Sequence, residues 1–389
     1  MAAPAHNGTG QPHDVAARRF PLIPHPKPAC RPLTERINRV TKLASQAGST
    51  SSQPLIHAAE ACNLAALIAS DCGTPSLARD LCWQQYQAFA QARISDETTG
   101  KLALQPLINL ARLHIRDGDG DRGYHLLESL YHAVRSSQHQ VTIDSQVISL
   151  ATPAAPSDHH KVIVQWLWTV LLSDGLRALC RAGRWTTAHR QAQQHNGIGQ
   201  RLLYGRQIAI LAHITTGQHD EAGQLLRQTT GIEPWEQIVS ACLHTINRAG
   251  DHPASMPGTA ARLADGYLAF DHQDHGMFTA RLGLTIAELA GGHDCASAVT
   301  GKVTGIAIQS DDAYIAREIL TSPTADLISC ETQARLDGKV REAGLGHPLT
   351  TAQLQQLASG MTSATKALTA ALARHQPARL TQWGRMARF

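Results

Sequence analysis

The sequence has little of several features that define common protein classes. Aromatic residues make up only 4% of its 389 residues, too few for a sandwich or barrel built on aromatic strands. The eight cysteines include no closely spaced pair, which excludes zinc knuckles and thioredoxin-type redox motifs. The longest nearly apolar stretch, Val162 to Leu172, is about half the roughly 20 residues that a membrane helix needs.

The N-terminal sequence MAAPAHNGTGQPHD also lacks the charged end and apolar run of a signal peptide. Most cysteines lie among alanines and leucines, as Cys62 and Cys180 do, which suits small buried thiols in a reducing compartment. We therefore expect a cytoplasmic protein with no membrane segment. Apolar residues are 43% and charged residues 17% of the chain, and this balance predicts a folded, mostly helical protein.

No pattern in the sequence fixes a catalytic site or a cofactor. A Gly-rich phosphate loop is absent, and no Ser/His/Asp or Cys/His set can be chosen from the sequence, so we expect no cofactor. The densest histidine cluster is Asp271-His272-Gln273-Asp274-His275, but it lacks an assignable third and fourth ligand. We predict no metal site there. An alternative hypothesis is a helical enzyme with a scattered active site in a central cavity, for which His272, Asp274 and His275 are the first residues to test.

The positive charge lies at the two ends of the chain. Residues 1–34 carry four Lys/Arg against one Asp, and residues 343–389 carry five Lys/Arg and no acid. A nucleic-acid-associated regulator that acts through these ends is a further alternative, although such proteins usually show a denser basic cluster. We expect nucleic acid not to be the partner, and the oligomeric state is left open.

Breaks in the sequence divide the chain into five ranges. We predict a flexible Pro/His-rich arm over residues 1–32, a helical-hairpin region over 33–150, a repeat region over 158–346, a capping helix over 347–374 and a basic tail over 375–389. The capping helix carries a near-heptad apolar stripe, Leu354, Leu357, Met361, Ala364, Leu368 and Leu372, which suits a core-facing helix or pairing with another chain. Near 140–150, apolar and polar residues alternate around Asp144-Ser145-Gln146, which predicts one small inserted β-hairpin.

The most informative feature is an internal repeat. Aligning Ala182–Ala188 with Thr216–Ala222 superposes Gly183 on Gly217 and Ala188 on Ala222, at an offset of 34 residues. Glycine can end the first helix in a conformation that other residues resist, and alanine five positions later lets the second helix pack closely. The pattern predicts helical hairpins in which these four residues serve the packing of the repeat.

In this period and turn, the chain resembles the tetratricopeptide repeat family. The stretch Gly217–Ala222 is similar to that family's inter-helix turn, and Pro234 falls where its closing proline often stands, whereas the aromatic and Leu-Gly positions of the first helix are mostly unmatched. Residues 168–235 carry the resemblance. The chain is also similar to uncharacterised helical-repeat proteins of high-GC bacteria and to sensor regions of some of their regulators. The resemblance implies an all-α, α-solenoid fold of helical hairpins.

A solenoid of this kind would place its function on the concave face that its first helices form. A protein or peptide partner is the expected ligand, and the chain would act as a protein-interaction or peptide-sensing module, in a regulatory role. Arginine, tyrosine and asparagine give large contacts and directional hydrogen bonds. The predicted partner-binding residues on these helices are Asn109, Arg112, Arg177, Arg201, Tyr204 and Arg206.

Overall fold

The protein is almost entirely α-helical. The computed structural model describes residues 19–48, 53–90, 92–231, 233–251, 256–270, 275–291 and 294–375. Within these ranges the only strands form one two-stranded antiparallel hairpin. The all-α class and the inserted β-hairpin are therefore confirmed.

The elements follow one another in a regular series. The first five helices are α1 (Leu33–Gly48), α2 (Pro54–Asp71), α3 (Pro75–Ala90), α4 (Glu97–Arg116) and α5 (Gly120–Arg135). The strands β1 (Gln140–Ile143) and β2 (Gln146–Ser149) follow, and then α6 (Asp158–Val170), a π-turn (Leu171–Gly175), α7 (Leu176–Arg181), α8 (Trp185–Gln194), α9 (Tyr204–Thr215) and α10 (His219–Arg227). The last elements are α11 (Pro234–Asp251), α12 (Met256–Ala269), α13 (Gly276–Ala290), α14 (Asp294–Gln309), α15 (Ala313–Leu320), a 3-10 turn (Pro323–Leu327), α16 (Cys330–Glu342) and α17 (Thr351–His375).

The chain forms two compact units, and each unit is assembled from separate stretches. Unit 1 contains the described parts of 1–32, 114–125 and 168–345, and unit 2 contains those of 33–113, 126–167 and 346–389. The ranges predicted from sequence breaks do not coincide with these units, because breaks follow chain order whereas packing joins distant stretches. Residues 1–18 of the predicted arm and residues 376–389 of the predicted tail lie outside the described residues.

Unit 2 is built around helices that approach one another closely. Helix α17 packs against α1, α2 and α3, and the contacting face of α2 consists largely of fully buried alanines. On α17 the buried part of the predicted stripe is Leu357, Met361, Ala364, Leu368 and Leu372, each at most 5% exposed. The stripe is thus a core-facing stripe within the chain, and only Leu354, 37% exposed, stands outside that core.

A tight turn and a tyrosine position the β-hairpin of unit 2. Val141 pairs with Ile148 in the antiparallel register, and the two loop residues Asp144 and Ser145 both have positive φ, as a two-residue hairpin turn requires. The hydroxyl of Tyr86 on α3 donates a hydrogen bond to the carbonyl of Ser149 at 2.8 Å. The sequence predicted the hairpin correctly because the local turn, more than distant packing, determines it.

Unit 1 contains a series of helix pairs. From α7 to α16, each helix packs against the next one along the chain. In addition, the first helix of each pair packs against the first helix of the next pair, through α7, α9, α11, α13 and α15. Among the second helices, α12 packs on α14 and α14 on α16. The first helices therefore form one continuous face of unit 1.

The two turns that define the sequence repeat have the same local structure. Gly183 and Gly217 have φ values of +73° and +74°, a left-handed conformation that glycine adopts without steric cost. The amide after each glycine bonds back into the preceding helix, Arg184 to the Leu179 carbonyl and Gln218 to the His213 carbonyl, both at 2.8 Å. Ala188 and Ala222 are fully buried. These four residues thus sit at equivalent positions in two successive hairpins.

Candidate functional site

An extended N-terminal segment lies along the first-helix face of unit 1. The segment runs from Arg19 to Arg31 and contains almost no secondary structure. Within it Phe20, Leu22 and Cys30 are at most 2% exposed, whereas residues 25–29 are exposed. The sequence predicted a flexible arm here, and the structure instead holds this segment at both of its ends.

The first attachment point joins the main chain of Leu22 to Gln207 on α9. The amide of Leu22 donates to Oε1 of Gln207, and Nε2 of Gln207 donates to the Leu22 carbonyl, both at 2.8 Å. Gln207 has no exposed surface, and its Nε2 also donates to the carbonyl of Leu202 at 2.7 Å. One side-chain amide therefore satisfies the full hydrogen-bonding capacity of one backbone residue, as a neighbouring β-strand residue would.

Arg177 and Tyr204 hold the residues on either side of Leu22. Nη2 of Arg177 donates to the carbonyl of Pro21 at 2.8 Å. The Arg177 guanidinium also lies over the ring of Tyr204, 5.8 Å from its centroid. The ring of His25 stacks on Tyr204 with centroids 5.6 Å apart and 15° between the planes, and its Nε2 is hydrogen-bonded to the tyrosine hydroxyl. Arg177 and His25 line a small cleft together with Pro21 and Leu22.

Arg19 enters an acidic pocket between α13 and α15. Its Nη2 donates to Oε1 of Glu288 at 2.7 Å, and its Nε lies 3.6 Å from Oε1 of Glu318. The side chains of Arg19 and Glu288 are 3% and 5% exposed. Both acids are themselves held in place, because Ser322 donates to Glu288 at 2.9 Å and Arg281 to Glu318 at 3.0 Å. Two carboxylates thus balance the charge of one buried guanidinium, whose Nε and Nη1 have no hydrogen-bond partner among the described residues.

The second attachment point is at Cys30, beside the start of α15. The amide of Cys30 donates to Oδ1 of Asp312 at 2.9 Å, and its carbonyl accepts from the amide of Ala313 at 3.0 Å. Asp312 is also the N-cap of α15, because the same oxygen accepts from the amide of Tyr314 at 3.1 Å. As at Leu22, the hydrogen bonds go to the backbone of the segment.

Burial and neighbouring charge shift the titration of three groups in this region. Burial lowers the pKa of His25 below its ordinary value, and the positive charges of Arg177 and Lys27 lower it further. Burial also raises the pKa of Tyr204 to about 12. Burial alone would raise the pKa of Glu318, but the charge of Arg281, followed by that of Arg19, outweighs it and keeps the pKa low. At neutral pH the site therefore presents a neutral phenol and a carboxylate aimed at arginine.

The six predicted partner-binding residues occupy four different places. Arg177 and Tyr204 lie together against the N-terminal segment. Arg201 instead forms a two-pronged ion pair with the fully buried Glu236, at 3.2 and 3.0 Å. The described hydrogen bonds of Arg201 thus go to Glu236 at the start of α11 and not to the N-terminal segment.

Arg206 and the two residues of α4 also make contacts away from the segment. Arg206 is 6% exposed and donates to the Leu225 carbonyl at 2.8 Å, which ties α9 to α10. Asn109 and Arg112 belong to unit 2. There Asn109 donates to Asn63 at 2.9 Å and accepts from Arg112 at 3.2 Å.

Among the described residues that hydrogen-bond to the backbone of the segment, Arg177 was predicted, whereas Gln207 and Asp312 were not. Glu288 and Glu318, which contact Arg19, were not among the predicted binding residues either. A usable signal was the position of Gln207 directly before the apolar stretch Ile208–Leu211 of α9, which is buried throughout. A polar side chain that is buried beside such a run needs a hydrogen-bonding partner, and here the partner comes from 185 residues away.

The alternative enzyme and membrane hypotheses have different outcomes. His272 and Asp274 lie outside the described residues, and His275 is described just before α13. One helical stretch in the described part of the chain, Asp158–Arg181, is long and apolar enough to cross a membrane. Half of its most apolar window is buried inside the protein, a pattern that core helices of soluble proteins share, so this stretch is weak support for a membrane span.

Comparisons with protein families, with curated proteins and with solved structures returned no match for this chain. The proposals below therefore rest on the geometry of the protein itself.

Proposed function

We propose that this chain is a cytoplasmic, tetratricopeptide-like helical-repeat module that binds an extended peptide segment of a protein partner, without a cofactor, along the first-helix face of unit 1. The role is recognition in a preformed groove and is of the protein-interaction or peptide-sensing kind. All eight cysteines lie among the described residues and are free thiols, which supports a reducing compartment.

The repeated packing of unit 1 supports a solenoid of hairpins. Each helix contacts its neighbour in the chain, and every first helix, together with α12, α14 and α16 among the second helices, contacts the equivalent helix of an adjacent pair, as expected when each repeat buries its apolar face against the next. Two lysines at equivalent positions also support a repeat. They lie 37 residues apart, in Gly301-Lys302-Val303 and Gly338-Lys339-Val340. Lys302 donates to carbonyls at the end of α12, and Lys339 does so at the end of α14.

The observation that carries the proposal is the buried amide of Gln207 bonded to the main chain of Leu22. A fully buried glutamine without partners would cost about 1–3 kcal/mol for each unsatisfied group. The first-helix face is therefore built to hold an extended backbone, and backbone recognition combined with pockets for particular side chains is a general mode of peptide binding.

The proposal can be tested with a peptide display library. The bait is the full chain in which Leu22→Asp and Arg19→Glu displace the N-terminal segment and leave the helices unchanged. We expect enriched peptides whose binding is lost when Gln207→Leu is added. The matched control is Gln356→Leu, a surface glutamine on α17 that bonds Asn38. The absence of any Gln207-dependent peptide would count against a peptide-binding module.

A further inference from the structure

The N-terminal segment is bound in the manner of a ligand. Its partners in unit 1 lie 156 residues away in sequence at Arg177, 185 at Gln207 and 282 at Asp312. The contacts come from four first helices or their starts, α7, α9, α13 and α15. The contacts at Pro21, Leu22 and Cys30 are made to backbone atoms and do not depend on which side chain stands there, whereas the contacts at Arg19 and His25 involve side chains.

The pockets around the first attachment point define which sequence fits best. Arg19 enters a pocket with two carboxylates, and the charge-assisted hydrogen bond to Glu288 is specific for a cation with directional donors. Phe20 and Leu22 occupy apolar positions at 1% and 2% exposure. Between them stands Pro21, whose carbonyl accepts from Arg177 and whose missing N–H leaves nothing unsatisfied.

The middle of the segment contributes little to its retention. Residues 25–29 are more exposed than the two ends of the segment, and His25 contacts unit 1 through Tyr204. A short stretch around residues 19–22 therefore supplies one compact set of contacts, and the Cys30 contact supplies another.

We propose that residues 19–22 are an intramolecular stand-in for the partner peptide, and that the groove recognises in a partner protein an extended segment with arginine, an aromatic residue, proline and an aliphatic residue in succession. This inference rests on the proposed function and adds the chemistry of the ligand and its competition with the chain's own N-terminal segment. A partner binds only when it displaces that segment.

The test measures binding of a fluorescent peptide to the full chain. The probe is a labelled peptide with the sequence of residues 17–24, ARRFPLIP. We expect the Arg19→Glu/Leu22→Asp chain to bind this peptide at least ten-fold more tightly than the wild-type chain does. Adding Gln207→Leu reverses the gain, and the same peptide with its second arginine changed to glutamate binds at least ten-fold more weakly.

Several results would overturn the inference. Equal binding to wild-type and double-variant chains would show that the segment does not occupy the peptide's site. If the double variant is folded and monomeric but does not bind the peptide, the segment has only a structural role. If the double variant does not fold, Arg19→Gln and Leu22→Ala are measured separately, and the same order of affinities is required of whichever folds.

The result also separates this inference from the proposed function. If the library returns Gln207-dependent peptides but the ARRFPLIP peptide does not bind, the proposed peptide-binding function is supported, and the proposal that residues 19–22 mimic the partner is wrong. If neither binds, both are wrong. Light scattering on the same samples identifies a third case: a wild-type dimer that dissociates in the double variant would show that the segment serves a second copy of this chain, and not a different protein.

Discussion

The two terminal stretches of the described chain are held in opposite ways. In unit 1 the N-terminal segment is held mainly through its backbone, by Gln207, Arg177 and Asp312. In unit 2 helix α17 satisfies its own backbone and is held by a stripe of buried apolar side chains. The proposed function predicts that the first arrangement accepts any chain of the right shape that fills the Arg19, Phe20 and Leu22 pockets, whereas the α17 stripe fits one specific apolar surface. Because of this difference, we propose that a partner can replace the N-terminal segment, whereas α17 is a permanent part of the core of unit 2.

The largest expected effect comes from weakening the α17 core. Leu368 is fully buried, so Leu368→Ala should lower the free energy of unfolding by about 2–5 kcal/mol through lost burial and the cavity left behind. Leu354→Ala on the same helix is the matched control, because Leu354 is 37% exposed and should change stability by less than about 1 kcal/mol. Urea unfolding followed by circular dichroism measures both. Equal losses would mean that the stripe does not face the core.

A smaller and more local effect is expected at the segment. Gln207→Leu leaves the amide and carbonyl of Leu22 without their partners, so docking of the segment should weaken by about 1–3 kcal/mol. Hydrogen exchange at the Leu22 amide should then rise roughly five- to hundred-fold, while amides of α17 keep their protection. The surface variant Gln356→Leu should leave exchange at Leu22 unchanged. A global rise in exchange would indicate that Gln207 stabilises unit 1 as a whole and not the segment alone.

The same comparison explains what the sequence could and could not predict. The α17 stripe could be predicted from the sequence because its apolar side chains recur at helical spacing, and this spacing indicates which face of the helix is buried. The β-hairpin and the glycine turns were readable because a local conformation demands particular residues. By contrast, nothing in the sequence marks which backbone carbonyl Gln207 or Arg177 will bind.

Among the predicted binding residues, the separation into different roles also has a physical cause. Arg177, Arg201, Tyr204 and Arg206 are alike in sequence as polar residues on or near first helices. Arg201 is drawn to the carboxylate of Glu236, which burial leaves in need of a positive partner. Such long-range pairing decides which arginine remains to face a ligand, and periodicity carries no information about it.

Substitution of a turn glycine should change the stability by an intermediate amount, and this change tests the left-handed turns of the repeat. Gly217→Ala forces alanine into a φ of +74°, which should cost about 1 kcal/mol of stability. Gly301→Ala is the control: it lies inside α14, where an added Cβ meets nothing within 4 Å, and it should stabilise by roughly 0.5–1 kcal/mol. Thermal unfolding should move in opposite directions for the two variants. Stabilisation by both would contradict the left-handed turn.

The smallest expected effect is the pH dependence of docking of the N-terminal segment. Docked His25 faces Tyr204 and the charges of Arg177, Lys27 and Asp174, with His275 also near. Burial, followed by Arg177 and Lys27, lowers its pKa, so a released His25 takes up a proton more readily than a docked one. Docking should therefore be strongest above the ordinary histidine pKa of about 6.5 and weaken as the pH falls below it.

Asp174 acts in the opposite direction on His25, so the change should be only a few-fold between pH 7.5 and 5.5. Exchange at the Leu22 amide, corrected for its intrinsic pH dependence, measures the change in wild type and in His25→Gln. The variant should show a flat profile, because glutamine does not titrate in this range. If both proteins respond equally, another group such as His275 controls the segment, and the docked end at Leu22 is insensitive to the charge on His25.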